Sequence, residues 1–270
     1  MKRRGFLVSS LAASALAGAG PSATAINPGA APQTSGREYY ELRKYLLRRG
    51  PQQQGIDAFF REAAIPALNR LGIKPVGVFN VTIGPESPTL YALIPHPSLE
   101  SVVTTHERLA ADPQYLEAGA AFVNAPATEP AYVRVESFLL AAFAAMPRLE
   151  PPPPGAGENT RRIFELRTYE SHSKKANLKK IGMFNNAEIA IFRRTGLRPV
   201  FFGETMVGAG MPSLTYLLTF TDMEERTRNW ATFVADPEWH KLSSMPGYTD
   251  PEIVSNISNV ILSPAPYSQI

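Results

Sequence analysis

The spacing of hydrophobic positions along the second half of the chain changes from a strand pattern to a helix pattern and back. Residues 163–169 alternate apolar and polar side chains, which predicts a strand. Residues 176–194 carry apolar side chains at helical spacing, and Gly196 follows as a C-terminal stop. Residues 198–207 and 213–220 are predicted as two further strands joined by a turn. This half therefore begins with the order β-α-β-β.

The rest of this half adds one more helical region and one more strand. Asp222 is a predicted N-cap for a helix over 223–234, and Glu225 three residues later predicts a capping box. Asp236-Pro237 opens a further helical segment, and residues 253–262 alternate as a last strand. The complete order β-α-β-β-α-β is that of a ferredoxin-like unit, in which two helices cover one face of an antiparallel sheet.

The first half of the chain repeats the second half at a constant offset of 124 residues. Three pairs of segments show the repeat: 40–45 with 164–169, 72–76 with 196–200, and 111–115 with 235–239. A solenoid unit has roughly 20–50 residues, so this longer period indicates a duplicated domain. We expect an α+β fold in which two tandem ferredoxin-like (βαββαβ) domains pack sheet to sheet as a pseudo-dimeric α+β barrel.

The N-terminus is predicted to be an export signal that covers residues 1–25. Lys2, Arg3 and Arg4 precede a short apolar run, and residues 23–25 (Ala-Thr-Ala) form a small-x-small cleavage motif. The paired arginines followed by Gly-Phe-Leu resemble the twin-arginine signal of bacteria. The apolar run is shorter than the about 20 residues that a membrane span needs. An ordinary secretory signal or an uncleaved anchor is the alternative, and the predicted location is periplasmic or otherwise extracytoplasmic.

Composition shifts divide the rest of the chain. Residues 26–36 are predicted as a flexible leader and residues 151–157, rich in Pro and Gly, as a linker. The two domains then cover 37–150 and 158–270.

Charge and cysteine content narrow the choice of partners. The chain has 27 Lys and Arg against 24 Asp and Glu, but three of the basic residues lie in the predicted signal. The remaining chain is balanced, which argues against nucleic acid or an anionic membrane surface as a partner. There is no cysteine, which fits the export of a folded protein that forms no disulfide.

The first strand of the second repeat carries the first candidate chemistry. Alternation places Phe164 and Leu166 on one face and Glu165, Arg167 and Tyr169 on the other. Because we expect the apolar face to meet the helices, the polar triplet should face the partner sheet.

The first repeat has the same triplet in Glu41, Arg43 and Tyr45. A buried carboxylate and guanidinium must find partners, because an isolated buried charge is costly. The triplets are either a lining for a small ligand or a network that fixes the register of the domains. Occurrence in both copies favours the network for Glu41, Arg43, Tyr45 and Glu165, while Arg167 and Tyr169 stay ligand candidates.

Two carboxylates occur only in the second repeat. Glu188 lies on the apolar stripe of the predicted helix, where the first repeat has Ala64. Glu204 lies in the following strand, where the first repeat has Asn80. A carboxylate on a packing face is either a paired structural group or one whose pKa is raised by burial, and raised pKa values mark functional sites. Both residues are therefore ligand candidates.

Trp230, Trp239 and His240 form an aromatic group that the first repeat lacks. Such a group either packs a helix on the sheet or binds a planar cofactor, and His240 could ligate iron or transfer protons. A haem is one candidate cofactor. No metal site is predicted, because the histidines show no metal-ligand spacing and cysteine is absent.

The second repeat resembles a NIPSNAP domain. The resemblance rests on residues 162–169, 193–204, 230–239 and 252–259, covers nearly all of 162–270, and extends more weakly over 38–138. It implies the dimeric α+β barrel superfamily, which also contains haem-degrading and quinone-forming monooxygenases. The NIPSNAP family has no settled enzymatic activity and supplies no catalytic residues. Its eukaryotic members are mitochondrial and linked to vesicle traffic and mitophagy.

Two functions remain open from the sequence. The favoured one is a non-catalytic protein of the bacterial cell envelope that binds a small ligand or scaffolds an envelope protein, as an intrachain pseudo-dimer or a homodimer. The alternative is a monooxygenase or isomerase, cofactor-dependent or cofactor-free, that acts in the barrel cavity with Arg167, Glu188, Glu204 or His240.

Overall fold

The computed structural model describes residues 36–153 and 162–270. The predicted signal, nearly all of the predicted leader and residues 154–157 of the predicted linker lie outside the described residues, so these assignments and the domain boundaries stay predictions.

The described residues form eight strands, four in each repeat. The first repeat contains β1 (Tyr39–Leu46), β2 (Gly77–Ile83), β3 (Thr89–His96) and β4 (Arg134–Ala142). The second contains β5 (Ile163–Glu170), β6 (Arg198–Val207), β7 (Ser213–Phe220) and β8 (Asn256–Pro264).

The helices also follow the repeat. The first repeat contains α1 (Pro51–Ala58), a π-helical segment π1 (Phe59–Ala64), α2 (Ile65–Arg70), α3 (Leu99–Ala110), α4 (Pro113–Ala118) and α5 (Ala120–Val123). The second contains α6 (Lys174–Met183), a π-helical segment π2 (Phe184–Glu188), α7 (Ile189–Arg194), α8 (Met223–Val234), α9 (Pro237–Ser243) and α10 (Asp250–Ile253).

The eight strands close into one antiparallel barrel in the order β1-β3-β2-β8-β5-β7-β6-β4. Each repeat contributes a ferredoxin-like sheet, β4-β1-β3-β2 or β8-β5-β7-β6. The two sheets join edge to edge where β2 pairs with β8 and β4 with β6, and each of these seams contains a register shift. Closure pairs the edges that would otherwise be free to bind other chains. The predicted pseudo-dimeric α+β barrel is confirmed.

The inner face of the barrel is mostly apolar. Tyr40, Leu42, Phe164 and Leu166 belong to one buried cluster to which strands of both repeats contribute. The prediction that Glu165 and its neighbours would face the partner sheet is therefore wrong. Closure surrounds the inner face with other strands and removes water from it, so the apolar side chains lie there.

The polar triplets face the helices instead. Glu165 accepts hydrogen bonds from Arg226 and Trp230 of α8, and Tyr45 packs in the cluster formed with α1 and π1. The helices supply hydrogen-bond partners for these side chains, whereas the apolar cluster inside the barrel does not.

Short polar motifs start the helices of the second repeat. Asp222 accepts a hydrogen bond from the amide of Glu225, and the helix that follows covers the predicted residues 223–234. The Glu225 carboxylate bonds the amide of Thr221 rather than that of Asp222, so the predicted reciprocal box is displaced by one residue. Asp236 caps α9 through the amides of Glu238 and Trp239, with Pro237 at the first helical position.

Candidate functional site

One continuous helical segment, α6–π2–α7, carries charge into the core of the second repeat. Ser173 caps it by accepting a hydrogen bond from the amide of Ala176. Asn177, Lys180 and Glu188 are each about 1% exposed on its buried side. A π-helical turn separates Lys180 from Glu188, and such turns are frequent at functional sites.

Lys180 and Glu188 form a buried ion pair. The Nζ atom of Lys180 lies 3.2 Å from Oε2 of Glu188. It also lies 5.1 Å from the ring centre of Phe184, 5.3 Å from that of Trp239 and 5.4 Å from that of Tyr169. The aromatic rings thus surround an ammonium group that is shielded from water.

Burial and pairing determine how this pair titrates. Burial raises the pKa of Glu188, and the neighbouring ammonium of Lys180 offsets only part of that rise. Burial alone would lower the pKa of Lys180, but the carboxylate of Glu188 raises it above its ordinary value. Lys180 is therefore charged at neutral pH.

Glu165 is the second centre of charge, with no exposed surface. Its Oε1 accepts from Nη2 of Arg226 at 2.6 Å and from Nη1 of Arg167 at 3.0 Å. Its Oε2 accepts from Nε1 of Trp230 at 2.7 Å and from Nε of Arg226 at 3.0 Å. Four charge-assisted hydrogen bonds fix this carboxylate in place.

Arg167 and two tyrosines connect the two centres. The guanidinium of Arg167 lies 4.6 Å from the ring centre of Trp230, and its Nη2 donates to the hydroxyl of Tyr169 at 3.2 Å. Tyr216 donates to the same hydroxyl at 3.0 Å. We call this network the charged layer; it comprises Glu165, Arg167, Tyr169, Lys180, Glu188, Tyr216, Arg226 and Trp230.

Some buried polar atoms in or beside the charged layer have no hydrogen-bond partner among the described residues. They are Nε of Arg167 and both side-chain amide atoms of Asn177, which lies one helical turn before Lys180. A buried polar group without a partner costs about 1–3 kcal/mol. These atoms offer both donors and acceptors to a bound molecule.

The first repeat makes the same fold without most of these groups. The positions of Lys180, Glu188, Tyr216, Arg226 and Trp230 are occupied in the first repeat by Ile56, Ala64, Ala92, Val102 and His106, respectively. The second repeat therefore contains charge that the fold does not require.

The shared triplet forms a smaller network in the first repeat. Glu41 accepts from Arg43 at 2.7 and 2.9 Å and from Ser137 at 2.9 Å. Burial alone would raise the pKa of Glu41, but the imidazole of His96, 3.8 Å away, and hydrogen bonds from Arg43 and Ser137 lower it to about 2. Tyr45 packs edge-on against the ring of Phe60.

Comparison with known proteins identifies the family. The NIPSNAP family model matches residues 40–145 and, a second time, residues 164–269. The chain belongs to the NIPSNAP family. No curated protein matches it.

Among solved structures, this NIPSNAP chain is similar to an uncharacterized NIPSNAP-like domain protein from Burkholderia xenovorans, with 26% identity, 40% of this chain and 90% of that chain covered, and a TM-score of 0.37. It is also similar to a candidate monooxygenase from Lactobacillus acidophilus. The match has 8% identity, covers 84% of this chain and 94% of that chain, and gives a TM-score of 0.53. The match to an anthrone oxidase-like protein has 8% identity, covers 85% of this chain and 92% of that chain, and gives a TM-score of 0.51. The latter two share the fold.

The structure brings some of the predicted ligand residues of this NIPSNAP chain together and separates others. Arg167, Tyr169 and Glu188 belong to the charged layer, and Trp239 adjoins it through Lys180. Glu204 pairs with the exposed Lys174 at the start of α6. Whether any of these residues contacts a ligand stays a prediction.

The haem named above stays a candidate cofactor. His240, the predicted iron ligand, is exposed on α9. Within residues 36–153 and 162–270, no group of three or more His, Asp or Glu side chains could hold a metal ion. No helix in these ranges has both the length and the apolar surface to cross a membrane.

Sequence reasoning missed four members of the site: Asn177, Lys180, Tyr216 and Arg226. Comparing the two repeats at the offset of 124 residues could have found three of them, since Lys180 replaces Ile56, Tyr216 replaces Ala92 and Arg226 replaces Val102. Periodicity hid Lys180 because a lysine beside an apolar stripe normally extends into solvent.

Proposed function

We propose that this NIPSNAP protein is a non-catalytic binding protein of the bacterial cell envelope and that the charged layer holds its small ligand. The buried Lys180–Glu188 pair carries this proposal. Replacing a buried ion pair with packed apolar residues is often neutral or stabilising. The first repeat contains such a replacement, Ile56 and Ala64, and folds in the same way. The stability of the fold therefore does not explain why the second repeat has this ion pair. Ligand binding would explain it.

The unpaired atoms indicate the chemistry of the ligand. Nε of Arg167 is a donor, and the amide of Asn177 offers a donor and an acceptor. Trp230, Trp239 and Tyr169 supply ring faces and edges beside them. This combination suits a small planar molecule with a carboxylate or phenolate oxygen, since rings stack on aromatic side chains and the oxygen accepts from Arg167.

The α9–α10 region covers the charged layer and offers a route to it. Ile253 of α10 is buried against Ala176 and Met183 of α6. Asp250 of α10 lies 3.7 Å from Nζ of Lys180, and its side chain is 52% exposed. The ligand enters beneath α10 when this contact opens.

A monooxygenase or isomerase is the second candidate function. The charged layer contains an acid whose pKa burial raises, Glu188, beside the ammonium of Lys180 and near Tyr169. Groups perturbed in this way are used in acid–base catalysis. The solved structures with the same fold include proteins described as a candidate monooxygenase and as anthrone oxidase-like.

The experiment measures the native mass and absorbance spectrum of protein purified from the periplasm of its native host. We expect the wild type to retain a small organic molecule that the double variant Lys180→Ile/Glu188→Ala loses. The matched control, Lys174→Ala/Glu204→Asn, removes the ion pair between exposed Lys174 at the start of α6 and half-buried Glu204 of β6, and should keep the molecule. Equal masses for the wild type and the layer variant would contradict the proposal. Conversion of the retained molecule during incubation with oxygen would favour the enzyme.

A further inference from the structure

The two ends of the barrel interior differ. Near the starts of β1 and β5, Leu149 and Ile270 join Tyr40 and Phe164 in the apolar inner cluster. At the ends of the same strands, the interior opens into a cavity of about 220 Å³. This cavity is lined by side chains of both repeats and lies on the opposite sheet face from the charged layer.

The deep part of the cavity is apolar. Its lining includes Leu42 and Tyr91 from the first repeat and Leu166 and Val260 from the second. These four side chains belong to the inner cluster and are no more than 9% exposed. An apolar side chain of a ligand would displace water from this surface and be stabilised by its burial.

The mouth of the cavity contains one cation, one anion and several hydroxyl groups. Among the described residues, Lys44 of β1 and Glu170 of β5 are the only charged ones that line it. The hydroxyls of Thr168 and Thr215 lie 2.9 Å apart, and Ser213 donates to Thr205 at 2.9 Å. The lining of the mouth thus carries one charge of each sign, and Glu86 and Glu136, which lie outside the lining, pair with Lys44.

The two charges break the twofold symmetry of the barrel. Lys44 occupies the position of Thr168 in the second repeat, and Glu170 occupies the position of Leu46 in the first. The cation and the anion therefore occur once each, on different strands. A ligand that carries one charge of each sign can bind in one orientation only.

We propose that this cavity is a ligand site, separate from the charged layer, for a small zwitterion with an apolar side chain, of the size and chemistry of an α-amino acid. The carboxylate of the ligand pairs with Lys44, its ammonium pairs with Glu170, and its side chain occupies the apolar part of the cavity. The volume is below the roughly 300–1,000 Å³ of sites for drug-sized ligands, which favours a molecule of this size.

The present partners of Lys44 leave room for a ligand carboxylate. Its Nζ pairs with Glu86 and lies 3.4 Å from Glu136, and these glutamate side chains are 40% and 35% exposed. The side chain of Lys44 is 16% exposed, so water competes mainly for the two carboxylates, and a pair with partly exposed members contributes little to stability. A ligand carboxylate can therefore replace Glu86 at small cost. Glu170 accepts a single bond, from Asn256 at 3.1 Å, and keeps free lone pairs for an ammonium group.

The test is isothermal titration calorimetry of the exported protein with leucine and two analogues that each lack one charge. We expect leucine to bind at least tenfold more tightly than 4-methylpentanoate, which lacks the ammonium, and 3-methylbutylamine, which lacks the carboxylate. Lys44→Met should weaken leucine about tenfold and leave the amine unchanged. Glu170→Gln should weaken leucine similarly and leave the acid unchanged.

Two controls separate this site from the charged layer and from the surface. Lys180→Ile/Glu188→Ala and the exposed Arg228→Met should bind leucine like the wild type. Three outcomes would each overturn the proposal: no binding of leucine, equal affinity for leucine and 4-methylpentanoate, or unchanged leucine affinity in both cavity variants. Circular dichroism of each variant confirms that the barrel is folded.

Discussion

Lys180 and Glu188 show how a single pair of residues distinguishes the repeats. In the second repeat they bury two charges within 3.2 Å of each other, and in the first repeat Ile56 and Ala64 are buried at the same positions. Burial of each charge is tolerated only because the opposite charge lies beside it. The effect of removing one partner is therefore opposite to the effect of removing both.

We predict that Glu188→Ala alone lowers the free energy of unfolding by about 3–5 kcal/mol, because it leaves Lys180 buried without its main partner. The sequence by itself predicts normal folding for this variant, since it copies Ala64 of the first repeat. The ion pair reverses that expectation. The double variant Lys180→Ile/Glu188→Ala should be as stable as the wild type or more stable. Urea denaturation of the three proteins measures the difference, and equal losses for the single and the double variant would contradict the interpretation.

Glu41 provides a test of pH dependence in the first repeat. Burial opposes ionisation of Glu41, but nearby His96 and hydrogen bonds from Arg43 and Ser137 lower its pKa to about 2 in the folded state. A carboxyl whose folded pKa is depressed stabilises the protein above its unfolded pKa of about 4.3 and loses that contribution as pH falls. We predict that the stability advantage of the wild type over Glu41→Gln, on the order of 2 kcal/mol at pH 6, shrinks between pH 5 and pH 2. Thermal denaturation at several pH values measures it, and a constant difference would exclude this role.

At the scale of elements, both repeats end their first helical region in the same way. Arg70 at the end of α2 pairs with Asp112, which caps α4, and Arg194 at the end of α7 pairs with Asp236, which caps α9. Each aspartate also accepts hydrogen bonds from two backbone amides of the helix that it caps. One carboxylate thus starts one helix and fixes it to the end of another.

We predict that Asp112→Ala and Asp236→Ala each lower the free energy of unfolding by about 1 kcal/mol, because each leaves helix amides without an acceptor. The matched variants Asp112→Asn and Asp236→Asn keep the cap and lose only an exposed ion pair, so they should cost less. Denaturant titration of the four variants checks the order. Asparagine variants as unstable as the alanine variants would show that the ion pair, rather than the cap, is the stabilising contact.

Most element boundaries could be predicted, and the exceptions have a physical cause. The strands predicted over 198–207 and 213–220 and the helix over 223–234 agree with the structure. The last strand begins at Asn256 instead of 253, because Asp250–Ile253 form α10. The apolar pattern does not predict the π-helical segments, because one short stretch of i→i+5 hydrogen bonds barely changes the spacing of apolar residues along a helix.

At the scale of the whole molecule, barrel closure determines what each face of the sheets contacts. The two ferredoxin-like sheets share two seams, β2–β8 and β4–β6, so the edges at which a separate domain could pair with another copy are joined within one chain. The same closure creates an enclosed inner face with a cavity at one end. Both faces of the sheets are therefore covered, one by the barrel itself and one by helices.

Export is the prediction that concerns the entire chain. The motif at Arg3 and Arg4 predicts transport of the folded protein through the twin-arginine pathway. We expect Arg3→Lys/Arg4→Lys to leave the protein in the cytoplasm of its native host, since this substitution keeps the positive charge and removes the paired arginines. Cell fractionation measures the distribution. A variant that still reaches the periplasm would indicate the general secretory route.

The sequence by itself determined the duplication, the order β-α-β-β-α-β and the family, because periodicity and motif spacing are local properties of the chain. It also pointed to Arg167, Tyr169, Glu188 and Trp239, which lie together in or beside the charged layer. Only the tertiary structure decided which face of β5 is inside, that Glu188 pairs with Lys180, and that Lys44 and Glu170 share a cavity. Alternation along a strand distinguishes two faces but carries no information about what covers each face. That depends on pairing between residues far apart in the chain.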